Sequence, residues 1–149
     1  MTALQATQTV PTPWHLWVIG AIAVLWNAMG AFDYVMTETK NAAYMSAFTP
    51  EQLAFFYGFP AWVIAAWAIA VWGGILGALL LLLRRRLAVW VFLISLVGLV
   101  VTTFHNYVLS NGLEIFGDAA SQGLTATIFV IAVGLLLYAR AMSKRGVLV

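Results

Sequence analysis

Apolar residues run along this chain in four long blocks separated by short polar stretches, at about 14–33, 61–83, 87–106 and 120–140. A helix needs about 20 predominantly apolar residues to cross roughly 30 Å of hydrocarbon. Each block therefore predicts one membrane-spanning helix. Lipid offers no partner for backbone N–H and C=O groups, which leaves helices as the open-chain solution. Pro13 stands at the start of the first block, where a missing N–H is harmless. The uninterrupted apolar part of the fourth block, from about Gln122 to Tyr138, is the shortest of the four and is expected to borrow a turn from Ala119–Ser121. The pattern predicts an all-α, integral-membrane, antiparallel four-transmembrane-helix bundle, one domain over residues 1–149.

The polar stretches set the connections: a long loop at 36–60, a tight one at 84–86 and a third at 109–119. Within the first, Thr49-Pro50-Glu51-Gln52 has the order of a helix start, with Thr49 as N-cap and Gln52 closing a capping box. The run Leu53 to Tyr57 then ends at Gly58, which predicts a short interfacial helix that lies on the membrane surface or lids the bundle. Asn111-Gly112 and Gly117-Asp118 are turn signals in the last loop.

Composition agrees with burial in lipid. Of 149 residues, 64% are hydrophobic and 8% charged, against about 25% charged in soluble domains; the mean hydropathy is +0.98. The absence of cysteine excludes disulfides, thiolate metal sites and cysteine nucleophiles. A pI near 9.2 could suggest nucleic acid. The bases, however, are confined to two membrane-flanking clusters, Arg84-Arg85-Arg86 and Arg140, Lys144, Arg145. Anionic lipid headgroups are their expected partner, and no nucleic acid is expected. No Lys or Arg occurs in the first thirteen residues, so a cleaved signal peptide is not expected.

Charge placement predicts orientation. By the positive-inside rule both basic clusters are cytoplasmic, and so are both termini. All five acids, Asp33, Glu38, Glu51, Glu114 and Asp118, fall on the other side with Lys40. Trp14, Trp17, Trp62 and Trp90 lie near the predicted interfaces, as an aromatic belt requires.

Candidate chemistry concentrates at the acidic side. Asp33 follows Trp14 by 19 residues and His105 follows Arg86 by 19, which at the helical rise sets both roughly 28 Å above the cytoplasmic interface. Ser95, Gly98, Thr102 and His105 share one helix face, as do Gly20, Ala23, Asn27, Gly30 and Tyr34. Small and polar residues mark helix contacts in a membrane. If the two stripes face each other, Asp33, Tyr34, His105, Asn106 and Glu114 line an outward-opening pocket, with Asn27 and Thr102 beneath. Such a pocket suits a small polar ligand or a proton. His105 beside two carboxylates could ligate a cation, but the spacing matches no metal motif and no metal is expected. The bland alternative is an Asp33–His105 hydrogen bond pinning two helices. For Asn27 an interhelical hydrogen bond is expected. Gly73-x-x-x-Gly77, Gly98 and Gly30 are expected at close helix contacts, within the chain or with another subunit. Trp62, Trp67 and Trp72 recur every five residues, spread round their helix, and form no stacking platform.

Several motifs are missing. No ionisable residue lies mid-span, no span is broken by proline, and no phosphate loop, nucleophile elbow or zincin motif occurs. A proton-driven pump and an enzyme are accordingly not expected, nor any cofactor beyond bound lipid. The endings Phe32–Met36 and Phe104–Leu109 resemble each other, as do Leu81–Arg84 and Leu135–Arg140; two hairpins in one orientation would suit a parallel repeat, and aromatic belts and Leu-Arg helix ends account for the likeness without one.

The stretch from Pro60-Ala61-Trp62 through Trp72-Gly73-Gly74-Ile75-Leu76-Gly77 to Arg84-Arg85-Arg86-Leu87-Ala88 resembles small bacterial four-helix membrane proteins of DoxX-like families. The whole chain also looks like proteobacterial proteins that sometimes carry a sugar-transporter label. Where DoxX-like proteins often have an acidic residue near the glycine-rich stretch, this chain has Ala70, Val71 and Trp72, so no residue role carries over. The resemblance implies a bacterial cytoplasmic membrane and four helices. Two functions are expected from different classes. The first is an accessory subunit of a larger membrane complex or a homo-oligomer. The alternative is binding or transport of a small neutral solute through the acidic-side pocket.

Overall fold

The computed structural model describes residues 9–149 and is helical throughout, with no strand among the described residues. Its elements are α1 (Trp14–Glu38), α2 (Ala42–Met45), α3 (Pro50–Tyr57), α4 (Ala61–Leu82), α5 (Leu87–Phe104), α6 (Gly112–Phe116) and α7 (Ala119–Lys144). A π-helical turn, His105–Leu109, prolongs α5. Four of these, α1, α4, α5 with its π turn, and α7, are long and apolar enough to cross a membrane. The fourth takes in the Ala119–Ser121 turn, as expected, and runs on to Lys144, so that α7 with 26 residues is the longest described helix although its apolar run is the shortest. Asp118 sets its start, because its carboxylate caps α7 by accepting from the Ser121 N–H and hydroxyl at 2.9 and 2.7 Å.

The helices pack in the order α1, α4, α5, α7, with α4 central. Glycines let α4 approach both neighbours. A side chain at Gly73 or Gly77 would meet Ser95 or Phe92 of α5, and one at Gly98 would meet the Ala66 carbonyl 2.7 Å away. The Gly73/Gly77 pair thus packs within this chain. Gly74 faces the other way, onto the Asn27 side chain of α1. Ser95 donates to the Ala70 carbonyl, adding a hydrogen bond to the α4–α5 contact.

One end of the bundle gathers the bases. Arg84 donates to Thr12 Oγ1 at 2.6 Å, and Val149 exchanges backbone hydrogen bonds with Arg84 and Arg86 at 2.7 and 3.0 Å. Both ends of the described chain therefore meet the α4–α5 turn, and Leu148 is wholly buried there. At this basic end lies the main core, including Leu16, Leu81, Leu136 and Met142. His15 of α1 is hydrogen-bonded there to the Tyr138 hydroxyl of α7. The acidic end is covered by α2, α3 and α6. Here Thr49 and Gln52 form the expected capping box, and Phe55, Phe59 and Val63 make a second, smaller core. Lys40 lies 4.7 Å from the Tyr57 ring.

Candidate functional site

Between the covered acidic end and the basic-end core the bundle holds a cavity of about 790 Å³. That volume lies within the range of about 300–1,000 Å³ typical of small-molecule sites. Every spanning helix contributes a stripe at helical spacing. On α5 and its π turn the stripe is Phe92, Ser95, Leu99, Thr102 and Asn106; on α7 it is Leu124, Ile128, Ile131 and Leu135. Asn27, Gly30 and Asp33 line it from α1, and Trp67, Ala70, Val71 and Gly74 from α4.

Polarity changes along its length. The floor is Phe92 and Leu135, members of the basic-end core. Below the acidic end Ser95 bonds across to α4, while Thr102 and Asn27 are turned back on their own helices. Thr102 Oγ1 donates to the Gly98 carbonyl at 2.8 Å and Asn27 Nδ2 to the Ala23 carbonyl at 2.8 Å. Such back-bonding hides the donor and leaves a wall that is apolar in effect. The interhelical hydrogen bond expected of Asn27 does not form; its amide oxygen packs instead on Gly74, where no Cβ intervenes.

Near the acidic end the polar groups are grouped. Tyr44 donates to Asp33 Oδ1 at 2.6 Å, fastening α2 to α1. Burial, then this hydrogen bond and the Asp33 charge, push the Tyr44 phenol up to about 12. Opposite, Gln122 Nε2 donates to Tyr107 Oη at 3.2 Å, Tyr107 bonds Thr125 Oγ1 at 3.2 Å, and Thr125 donates to the Ser121 carbonyl at 3.1 Å. Gln122 also donates to the Phe116 carbonyl at 2.8 Å, tying α6 to α7. Above lies an aromatic roof, in which Phe55 stands 5.4 Å and Phe56 5.4 Å from Phe116, ring to ring.

The candidate residues do not all converge. Asn27, Asp33, Thr102 and Asn106 line the cavity. His105 does not: it lies between Phe59 and Trp62, edge to face at 5.6 and 5.4 Å. Seven residues beyond Gly98, it continues the α5 face that meets α4. His105 and Glu114 instead line a separate open groove of about 750 Å³ between α3 and α6, with Thr49, Glu51 and Asn111. His105 Nδ1 lies 3.2 Å from Asn106 Oδ1, within hydrogen-bond distance. Tyr34 packs on Trp67 and Trp72. Among the described residues no three His, Asp or Glu side chains stand together as a metal site would need.

Tyr44, Tyr107, Ser121 and Thr125 are polar cavity residues that spacing alone did not single out, with Gln122 bonded to Tyr107 behind them. Ser121, Gln122 and Thr125 at steps of one and three were a legible signal, a polar face on the first turns of α7. Tyr44 carried none, because its partner Asp33 lies eleven residues away across a helix end.

Fold and cavity together define a class: a multi-pass helical membrane protein with an aromatic-roofed internal cavity. Comparison with protein-family models, with curated proteins and with solved structures finds no match for this chain.

Proposed function

We propose that this protein binds a small neutral molecule in the cavity between α1, α4, α5 and α7. The observation that carries the reading is that all four spanning helices turn a stripe onto one space of about 790 Å³ whose polar groups cluster at one end. A bundle built only for stability fills such space, because unfilled volume forfeits packing. Among the described residues Asp33 is the only Asp, Glu, Lys, Arg or His side chain in the lining, which supports an uncharged ligand over a multiply charged ion. We assign no reaction to the protein. The positive-inside rule supports a cytoplasmic basic end that holds anionic lipid, and the resemblance to DoxX-like proteins supports a bacterial inner membrane.

The accessory-subunit reading has one supporting observation. Gly123, Thr127, Val130, Gly134 and Leu137 form an exposed stripe on α7, and a Cβ at Gly123 or Gly134 would meet nothing within 4 Å. The glycines of α4, by contrast, are used within the chain.

Native mass spectrometry of protein extracted gently from its own membrane separates the two. Cavity binding predicts one small molecule per chain, lost when Ala132→Phe fills the lining. A stoichiometric second protein with no retained small molecule would replace this reading with the accessory one.

A further inference from the structure

The roof and the walls differ in what they leave open, and the difference bears on where a ligand comes from. Towards water the cavity is covered by the Phe55, Phe56 and Phe116 rings. Towards the membrane it is not closed. Met29 of α1 and Leu124 of α7 both line it and are 66% and 56% exposed. These two helices are joined at the basic end by His15 and Tyr138, so the seam between them opens above that pair.

We propose that the occupant is a neutral single-chain amphiphile with a hydroxyl head, taken sideways from the bilayer through the α1–α7 seam. This rests on the cavity reading and names its ligand class. A large apolar-walled space does not hold water, since water there lacks polar partners. With the seam facing lipid, the molecules at hand carry apolar chains. The chain lies against Val71, Leu99 and Ile128 and reaches Phe92 and Leu135. At mid-depth Thr102 and Asn27 have already spent their donors on their own helices.

The head is selected by what remains unpaired at the acidic end. Asp33 Oδ1 accepts from Tyr44, while Oδ2 accepts from no described residue. Asn106 Oδ1 is taken by His105, while its Nδ2 donates to none of them. At this end the cavity thus presents an acceptor in Asp33 Oδ2 and donors in Asn106 Nδ2 and in Gln52 Nε2, whose Oε1 is already taken by the Thr49 N–H. A hydroxyl matches both, since it donates and accepts through one oxygen. A carboxylate or phosphate only accepts and is repelled by Asp33. An ammonium only donates and leaves Asn106 unmatched.

The test uses the full chain in phosphatidylcholine nanodiscs with three photoreactive probes: hexadecanol, hexadecanoic acid and hexadecylamine, each bearing a diazirine in the chain. Adducts are mapped by peptide mass spectrometry. The alcohol is expected to label cavity residues such as Met29 and Ile128 about tenfold more than the acid or the amine, the equivalent of one charge-assisted hydrogen bond. Ala132→Phe should remove these adducts and leave those at lipid-facing Ile22 and Val130 unchanged. Asp33→Asn should erase the preference over the acid; Tyr44→Phe, which keeps the carboxylate, should retain it. Equal cavity labelling by all three heads, or preferential labelling by the acid or the amine, overturns the proposal. So do alcohol adducts confined to the lipid-facing positions. If native mass spectrometry still finds a cavity-bound molecule that hexadecanol does not displace, the amphiphile assignment alone falls. If it finds none, the cavity reading falls with it.

Discussion

Gly98 and Gly134 are the same residue in the middle of long apolar helices, and their surroundings set opposite expectations. A Cβ at Gly98 would stand 2.7 Å from the Ala66 carbonyl and 3.0 Å from the Ala70 nitrogen, both backbone atoms that cannot swing aside. Gly98→Ala should therefore push α5 off α4 and cost about 1–3 kcal/mol, the usual penalty of overpacking. Gly134→Ala meets nothing within 4 Å and should be neutral or stabilising by about 0.5–1 kcal/mol, through helix propensity. Denaturation in mixed micelles followed by circular dichroism checks the pair. At this scale the sequence was legible in part. The spacing of Gly73, Gly77 and Gly98 marked them as contact residues. Which neighbour each faces depends on rotation of the helix about its axis, which a pattern read along one helix leaves free. Asn27 shows the same gap, since its polar character suggested a hydrogen bond across helices and Gly74 supplied a packing surface instead.

Element ends carry the pH dependence. The Ser121 hydroxyl, then its backbone N–H, hold the Asp118 carboxyl below the usual carboxylate range. Its folded value being depressed, the cap is complete above the ordinary carboxylate range and is lost as pH falls through the depressed value. Amide protection factors in the first turn of α7, taken relative to intrinsic exchange at each pH, should fall on acidification, and Asp118→Asn, which still accepts, should flatten that response. Tyr44 works with the opposite sign. Its raised value means that the phenol keeps donating to Asp33 until pH rises through about 12. Phenolate absorbance should show a late-titrating tyrosine that moves to lower pH in Asp33→Asn; no such movement would mean that α2 is not fastened there. The helices themselves followed from length and hydropathy, and α3 from its capping box. The π turn did not, and it matters, because Asn106 reaches the cavity while His105 beside it stays on the face that meets α4. One helical position, about 100° of rotation, separates the two, and that is finer than a depth estimate from interface residues resolves.

For the whole molecule, segregation of charge along the chain becomes two chemically distinct ends in space. The basic clusters, far apart in sequence, share one end because α4 and α7 both finish there, and the Gly146–Val149 tail folds back onto the Arg84–Arg86 turn. The tail closes on Gly146 at φ 75°, a conformation that glycine adopts without strain. With Arg84 and Arg86 partly engaged by their own chain, the exposed Arg85, Arg140, Lys144 and Arg145 have no side-chain hydrogen-bond partner among the described residues. If they hold anionic headgroups, replacing those four by Gln should weaken retention of phosphatidylglycerol by about 1 kcal/mol per residue, measured as lipid co-purifying with the protein; unchanged retention would contradict it. The bundle was legible from four apolar blocks, and so was the concentration of polar residues at one end. The cavity was not, since it arises from α7 standing away from α1, and no residue on either helix announces a missing contact.

That open space is the centre of the account, and a crystal structure grown from a lipidic mesophase tests it most directly. The expected map shows one elongated density between α1 and α7, from the level of Asp33 and Asn106 down to Phe92 and Leu135. A bundle in which α1 and α7 close along their whole length, with Trp26 and Ile128 filling the space between them, would contradict it.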